Sequence, residues 1–175
     1  MSGHSKWSKI KHKKALTDAK KSKVFSKLVR FIEVESKKAG GDVESPGVRL
    51  AIERARAANM PSNNINRAIA KGKEGGGANM ENVLYEAYGP GGSAIIIEGL
   101  TDSRNRTAAE IKYLLNKHGT QLAAQGAAAW AFEKVDEKWS PKTVVSISEE
   151  DGEKLMKLIE ELEDHDDVQG VYINV

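Results

Sequence analysis

Without cysteine, chemistry in this 175-residue chain must come from histidines, carboxylates, hydroxyls and cations, and the cations crowd one end. The four histidines, His4, His12, His118 and His165, are scattered, and none has a serine or carboxylate at a spacing that builds a triad or paired acid. No catalytic residue is therefore assigned. Asp164-His165-Asp166-Asp167 carries metal-compatible side chains, but four adjacent residues rarely converge on one ion, so it reads as an acidic loop. Neither a metal nor a cofactor is expected. Phosphate binding is the chemistry these residue types favour. Lys6, Lys9, Lys11, Lys13 and Lys14 fall within the first sixteen residues beside His12 and Trp7, whose indole either stacks on an unpaired base or packs on the helical unit. A second cluster, Arg104-Asn105-Arg106-Thr107, places two arginines at a predicted helix N-terminus. There they either hold phosphate or pair with Glu98, Asp102 or Glu110.

The overall charge of +2 hides a division. Residues 1–77 hold 18 Lys+Arg against 7 Asp+Glu, whereas residues 78–175 hold 9 against 18. A surface this basic favours a polyanion, and nucleic acid is the commonest. The remaining composition is that of a soluble globular protein. No stretch approaches a membrane span, and no apolar segment follows the basic N-terminus as a secretory signal would require. The expected location is the cytoplasm.

The elements that position these residues follow from periodicity. Residues 1–16 have no sustained period and read as a basic flexible arm, mobile or partly helical. From Asp18, Phe25, Leu28, Val29 and Ile32 mark one helix face that Gly40-Gly41 stops, with Lys20, Lys23, Lys27 and Arg30 as an exposed basic ridge beside it. A second helix opens near Pro46, buries Val48, Ala51, Ile52 and Ala55, and turns Arg49, Arg54 and Arg56 outward. A third follows Met60-Pro61 and buries Ile65, Ala68 and Ile69. Residues 17–73 thus form a helical basic domain, and 74–80 a glycine-rich linker.

Residues 81–175 read as an acidic α+β domain. Val83–Tyr88 and Ala94–Leu100 flank the Gly89-Pro90-Gly91-Gly92 turn as a hairpin. A helix with Ala108, Ile111, Leu114 and Leu115 on its buried face comes next. Strands follow near Ala128–Val135 and Thr143–Ile147, separated by an Asp136–Pro141 loop. A helix capped by Ser148 and buried through Leu155, Leu158, Ile159 and Leu162 leads to a last strand, Val168–Val175. The fold class is α+β: a three-helix domain plus a sandwich with a mainly antiparallel sheet and both helices on one face.

Gly3-His4-Ser5-Lys6-Trp7, Ile10-Lys11-His12, Asp18-Ala19-Lys20, Ala58-Asn59-Met60-Pro61, Tyr88-Gly89-Pro90-Gly91-Gly92 and Thr101-Asp102 with Arg104-Asn105-Arg106-Thr107 together resemble the YebC/PmpR family. Leu162-Glu163-Asp164, Asp167-Val168-Gln169 and Val171-Tyr172 are similar to its last segment. The resemblance implies an N-terminal helical domain followed by two α+β domains, with members acting as DNA-binding transcriptional regulators or as ribosome-associated translation factors. After Phe132-Glu133-Lys134 the family inserts a middle domain, which this chain lacks.

The expected function is a non-enzymatic, nucleic-acid-binding regulator of gene expression. Lys6, Trp7, Lys9, Lys11, His12, Lys13, Lys14, Lys20, Lys23, Lys27, Arg30, Arg104 and Arg106 are its candidate contacts. Ribosomal RNA, and through it the ribosome, is favoured, because a Lys-rich arm with one aromatic suits folded RNA and no predicted helix places Asn, Gln or Arg for a major groove. The alternatives are a DNA-binding transcriptional regulator and a protein-interaction adaptor using the acidic domain. The oligomeric state is left open.

Overall fold

The computed structural model describes residues 6–13, 17–76 and 79–175, with the backbone alone at residues 12 and 13. Its elements are α1 (Lys6–Lys13), α2 (Asp18–Lys38), α3 (Pro46–Ala57), α4 (Ser62–Lys73), β1 (Glu81–Tyr88), β2 (Ala94–Thr101), α5 (Arg104–Lys117), β3 (Gln121–Ala123), β4 (Phe132–Val135), β5 (Lys138–Pro141), α6 (Glu149–Asp164) and β6 (Val168–Ile173). They divide into two compact units. One contains α2, α3 and α4, and the other contains α1 with everything from β1 onward.

In the helical unit, Thr17 caps α2 by accepting the Lys20 N–H at 3.3 Å. Leu28, Phe31 and Ile32 from α2 meet Leu50, Ala51 and Ala55 from α3, Met60 from the turn, and Ile65 and Ala68 from α4. Phe25 and Val29, expected in this face, lie at its edge, half-buried. The α3–α4 turn is a tight one. Asn59 adopts φ +60°, the Met60 N–H reaches the Ala55 carbonyl at 3.0 Å, and the Asn59 N–H reaches Arg56 at 3.0 Å. Those two bonds satisfy the last carbonyls of α3, and burial of Met60 pins the reversal. At Gly72 a Cβ would stand 2.4 Å from the Glu33 carbonyl oxygen, so α4 lies almost backbone to backbone on α2. Ser36 Oγ donates across the same contact to the Ile69 carbonyl at 2.7 Å.

The α+β unit is built on a four-stranded antiparallel sheet of order β3-β1-β2-β6. Strand alternation sends Ala87, Ile95 and Ile97 to one face, where Ile111 and Leu115 of α5 and Leu155, Leu158, Ile159 and Leu162 of α6 cover them. Ala94 and Ile96 face the other way and meet Ala128, Ala131 and Phe132. Both helices therefore do share one face, as the fold class states. Ser148 Oγ accepts the Asp151 N–H at 3.1 Å, the cap expected for α6, and Glu149, Glu150 and Asp151 fill its first turn.

Two expectations for this unit are corrected, and one element was not anticipated. Residues 143–147 form no strand; they are tethered where Val145 donates to the Asn174 carbonyl at 2.9 Å. The segment read as an Asp136–Pro141 loop instead supplies β5, which pairs with β4 across a two-residue turn. Asp136 and Glu137 take φ +50° and +63° there, the mirror-image turn that matches strand twist. The short strand β3 has too few residues to show a period and escapes a sequence reading.

Candidate nucleic-acid interface

The candidate contacts divide into three groups. The first lies on α1, expected as a mobile or partly helical arm but here a helix seated in the α+β unit. Trp7 is 9% exposed and joins the core of Leu155, Leu158 and Ile159. Its ring occupies space that only Gly152 of α6 leaves open, since a Cβ there would come within 2.0 Å of Cε2. Both readings of the indole are thus corrected: it is not open to stack on a base, and it packs on the α+β unit rather than the helical one, because apolar burial against α6 outcompetes solvent exposure. Lys6 Nζ pairs with Glu149 at 2.6 Å and sits 5.0 Å over the Trp7 ring. Lys11 Nζ reaches the Val171 carbonyl and lies 3.4 Å from Glu163. Burial lowers the Lys11 ammonium pKa from its ordinary value, and the Glu163 charge only partly offsets that. Lys9 is exposed. The side chains of His12 and Lys13, and all of Lys14, lie outside the described residues.

The second group is Lys20, Lys23, Lys27 and Arg30 on α2. The ridge was expected to be exposed; all four side chains are half-buried, and each is engaged in an interaction. The open cations of the helical unit are others: Lys21, Lys37, Lys38, Arg49, Arg56, Arg67, Lys71 and Lys73. Lys38 meets Glu35 at 2.9 Å and Lys71 meets Glu33 at 2.8 Å. Arg49 and Arg56 face outward on α3 as its period predicts, whereas Arg54, expected with them, is half-buried. The other six of the eight follow from the same helical periods but were not among the candidate contacts.

The third group begins α5. Arg104 pairs with Glu81 at 3.2 Å, while Arg106 Nη2 donates to Asp102 and to Asp167 Oδ2, both at 2.9 Å. Carboxylates of the chain thus fill the place offered to phosphate, although Glu81 and Asp167 replace the Glu98 and Glu110 named as partners. Asp167 is buried, and Thr107 Oγ1 donates to the same Oδ2 at 2.7 Å. Burial pushes the Asp167 carboxyl upward, but hydrogen bonds from Thr107 and Arg106 outweigh it and hold it below the ordinary range. The Asp167 N–H donates to His165 Nδ1 at 3.1 Å, so Nε2 carries the hydrogen that meets Glu110 Oε2 at 2.6 Å. Glu110, His165 and Asp167 bring ligand atoms within 4.8 Å of one another. Yet Arg106 and Thr107 already occupy Asp167 and the imidazole donates to Glu110, so the trio is a hydrogen-bond network holding α5 to the start of β6.

Glu86 is a buried carboxylate that sequence reasoning passed over. It accepts N–H groups of Gly126, Ala128 and Ala129 at 2.7 to 2.8 Å, fixing the loop that covers the second sheet face. Burial raises its pKa and the three backbone donors lower it further, for a net depression.

Fold and surface together define a two-unit protein, a basic three-helix bundle joined to an acidic α+β sheet unit. Residues 5–75 match the family model described as TACO1/YebC protein N-terminal domain, and residues 80–137 and 133–175 match that of the TACO1/YebC second and third domain. The chain belongs to the TACO1/YebC family. It is 40% identical to a probable transcriptional regulatory protein of Thermoanaerobacter pseudethanolicus, over all of this chain and 97% of the relative. One of the same name from Dictyoglomus turgidum is 41% identical over 99% and 95%. Both alignments are longer than this chain, 238 and 237 positions against 175 residues, so the relatives carry a segment that it lacks. The family match breaks and resumes between residues 133 and 137, at the β4–β5 turn. A crystal structure of a conserved hypothetical protein from Aquifex aeolicus superposes with a TM-score of 0.79 at 35% identity, covering 97% of this chain and 96% of that one. Among the described residues, no helix is long and apolar enough to cross a membrane.

Proposed function

We propose that the protein is a non-enzymatic, DNA-binding regulator of transcription acting in the cytoplasm. The carrying observation is the helical unit's surface. Residues 16–80 hold 13 Lys+Arg against 7 Asp+Glu, and eight of those cations stand exposed. Phosphate neutralisation is what such a surface does. The relatives' names as probable transcriptional regulatory proteins support DNA as the polyanion. The lean toward ribosomal RNA rested on an arm with an open aromatic and on the lack of a base-reading helix, and the burial of Trp7 removes the first of these supports.

Affinity for duplex DNA measured across a salt series tests the reading. Log affinity is expected to fall linearly with log salt, by about 0.9 per phosphate engaged. Replacing Lys21, Arg49 and Arg56 together by Ala should flatten that slope by about 2 to 3. Deleting residues 1–16 is a poorer probe, because it also withdraws Trp7 from the α+β core. Salt-insensitive binding would sink the nucleic-acid reading. Tighter binding to single-stranded RNA, with cosedimentation on ribosomes, would transfer it to translation.

A further inference from the structure

The exposure pattern of α4 reverses the expectation that no helix presents base-reading side chains. Ile65, Ala68 and Gly72 are buried against α2, which turns Asn63, Asn66, Arg67 and Ala70 outward at i, i+3, i+4 and i+7. All four are exposed, and among the described residues no side-chain hydrogen bond or ion pair engages Asn63, Asn66 or Arg67. Their side chains suit base edges in particular: asparagine reads the N6/N7 edge of adenine, arginine the O6/N7 edge of guanine, and a small apolar group meets the thymine methyl. Lysines alone would indicate only backbone contact.

The setting agrees with this use. α3 and α4 are joined by the four residues Ala58–Pro61, locked by Asn59 and Met60, a connection of the length that joins the two helices of a helix-turn-helix. Residues 46–73 carry Arg49, Arg54, Arg56, Arg67, Lys71 and Lys73 against a single acid, Glu53, and α4 itself has none. The Gly72 contact and the Ser36 bond hold α4 rigidly on α2, so its outer face is preorganised. A B-form major groove about 12 Å wide admits such a helix, whereas the major groove of duplex RNA is too narrow.

Resting on the DNA reading above, we propose that α4 is a base-reading helix for the major groove of duplex DNA. Asn63, Asn66 and Arg67 contact base edges there, and Arg49 and Arg56 contact flanking phosphates. The full chain would be used to select from a random-sequence duplex library, and binding then compared between an enriched duplex and its scrambled counterpart. The wild type should prefer the enriched duplex by about 100-fold, and N63A/N66A/R67A should reduce the ratio to within about threefold. R49A/R56A should weaken both duplexes alike and keep the ratio. The single variant R67K, which keeps charge but loses the bidentate fork, should lower the ratio without changing the salt slope. Circular dichroism melts should match the wild type throughout, because these side chains bury nothing. Duplex binding with no enriched sequence would overturn the proposal and leave the DNA reading standing. So would an enriched sequence whose preference survives the triple substitution. Absence of duplex binding altogether would overturn both.

Discussion

Asp167 shows how one buried carboxylate organises a site. It joins Arg106, Thr107 and, through its backbone, His165, linking the start of α5 to the start of β6. Its folded pKa is depressed, so its stabilisation is fully present above the unfolded aspartate value of about 3.9 and is lost as pH falls through the folded value. Asp167→Asn should therefore cost about 2 to 3 kcal/mol at pH 7, with the deficit shrinking below about pH 4 in urea melts. A pH-independent deficit would contradict this. Glu86→Gln should behave likewise, because three N–H donors depress its carboxyl too. The sequence displayed Asp167 only as one of four polar residues in an acidic loop. Its partners lie 60 and 61 positions away, and no local period reports a pairing at that distance.

The elements were more legible than the contacts between them. The buried faces of α2, α5 and α6 follow from 3.6-residue periodicity, and the cap at Ser148 from its neighbouring acids. What a periodic reading lacks is partner identity. Trp7 had no visible destination because the space that receives it is a missing side chain on α6, at Gly152. Gly152→Val should expel the indole and detach α1, seen as faster amide exchange over residues 6–13, at a cost of about 1 to 3 kcal/mol. Unchanged protection would show that α1 holds by its ion pairs alone. The outward asparagines of α4 were within reach of the sequence, since Ile65 and Ala68 already fix which side is buried. The expectation that no helix places Asn, Gln or Arg for a groove did not carry that period on to Asn63, Asn66 and Arg67. Gly72→Ala should push α4 off α2, destabilise the helical unit by about 1 to 3 kcal/mol, and blunt any sequence preference even though no DNA-facing atom changes.

At the scale of the molecule, charge is sorted between units, but not along the simple boundary that composition suggests. The basic helix α1 belongs with the acidic unit, where Glu149 and Glu163 meet Lys6 and Lys11. The net positive charge therefore resides on the helical unit, with 13 Lys+Arg against 7 Asp+Glu over residues 16–80. The β4–β5 turn has a consequence for the family's architecture. Cross-strand partners Val135 and Lys138 lie about 5 Å apart, so the place where the relatives carry their additional segment is closed here by a hairpin. Such a site is a ready-made socket. An independently folding guest spliced between Asp136 and Glu137 should leave the melting of the host sheet nearly unchanged, because opening one closed loop there costs only a logarithmic entropy. The domain boundary would then be modular cargo space rather than a structural joint.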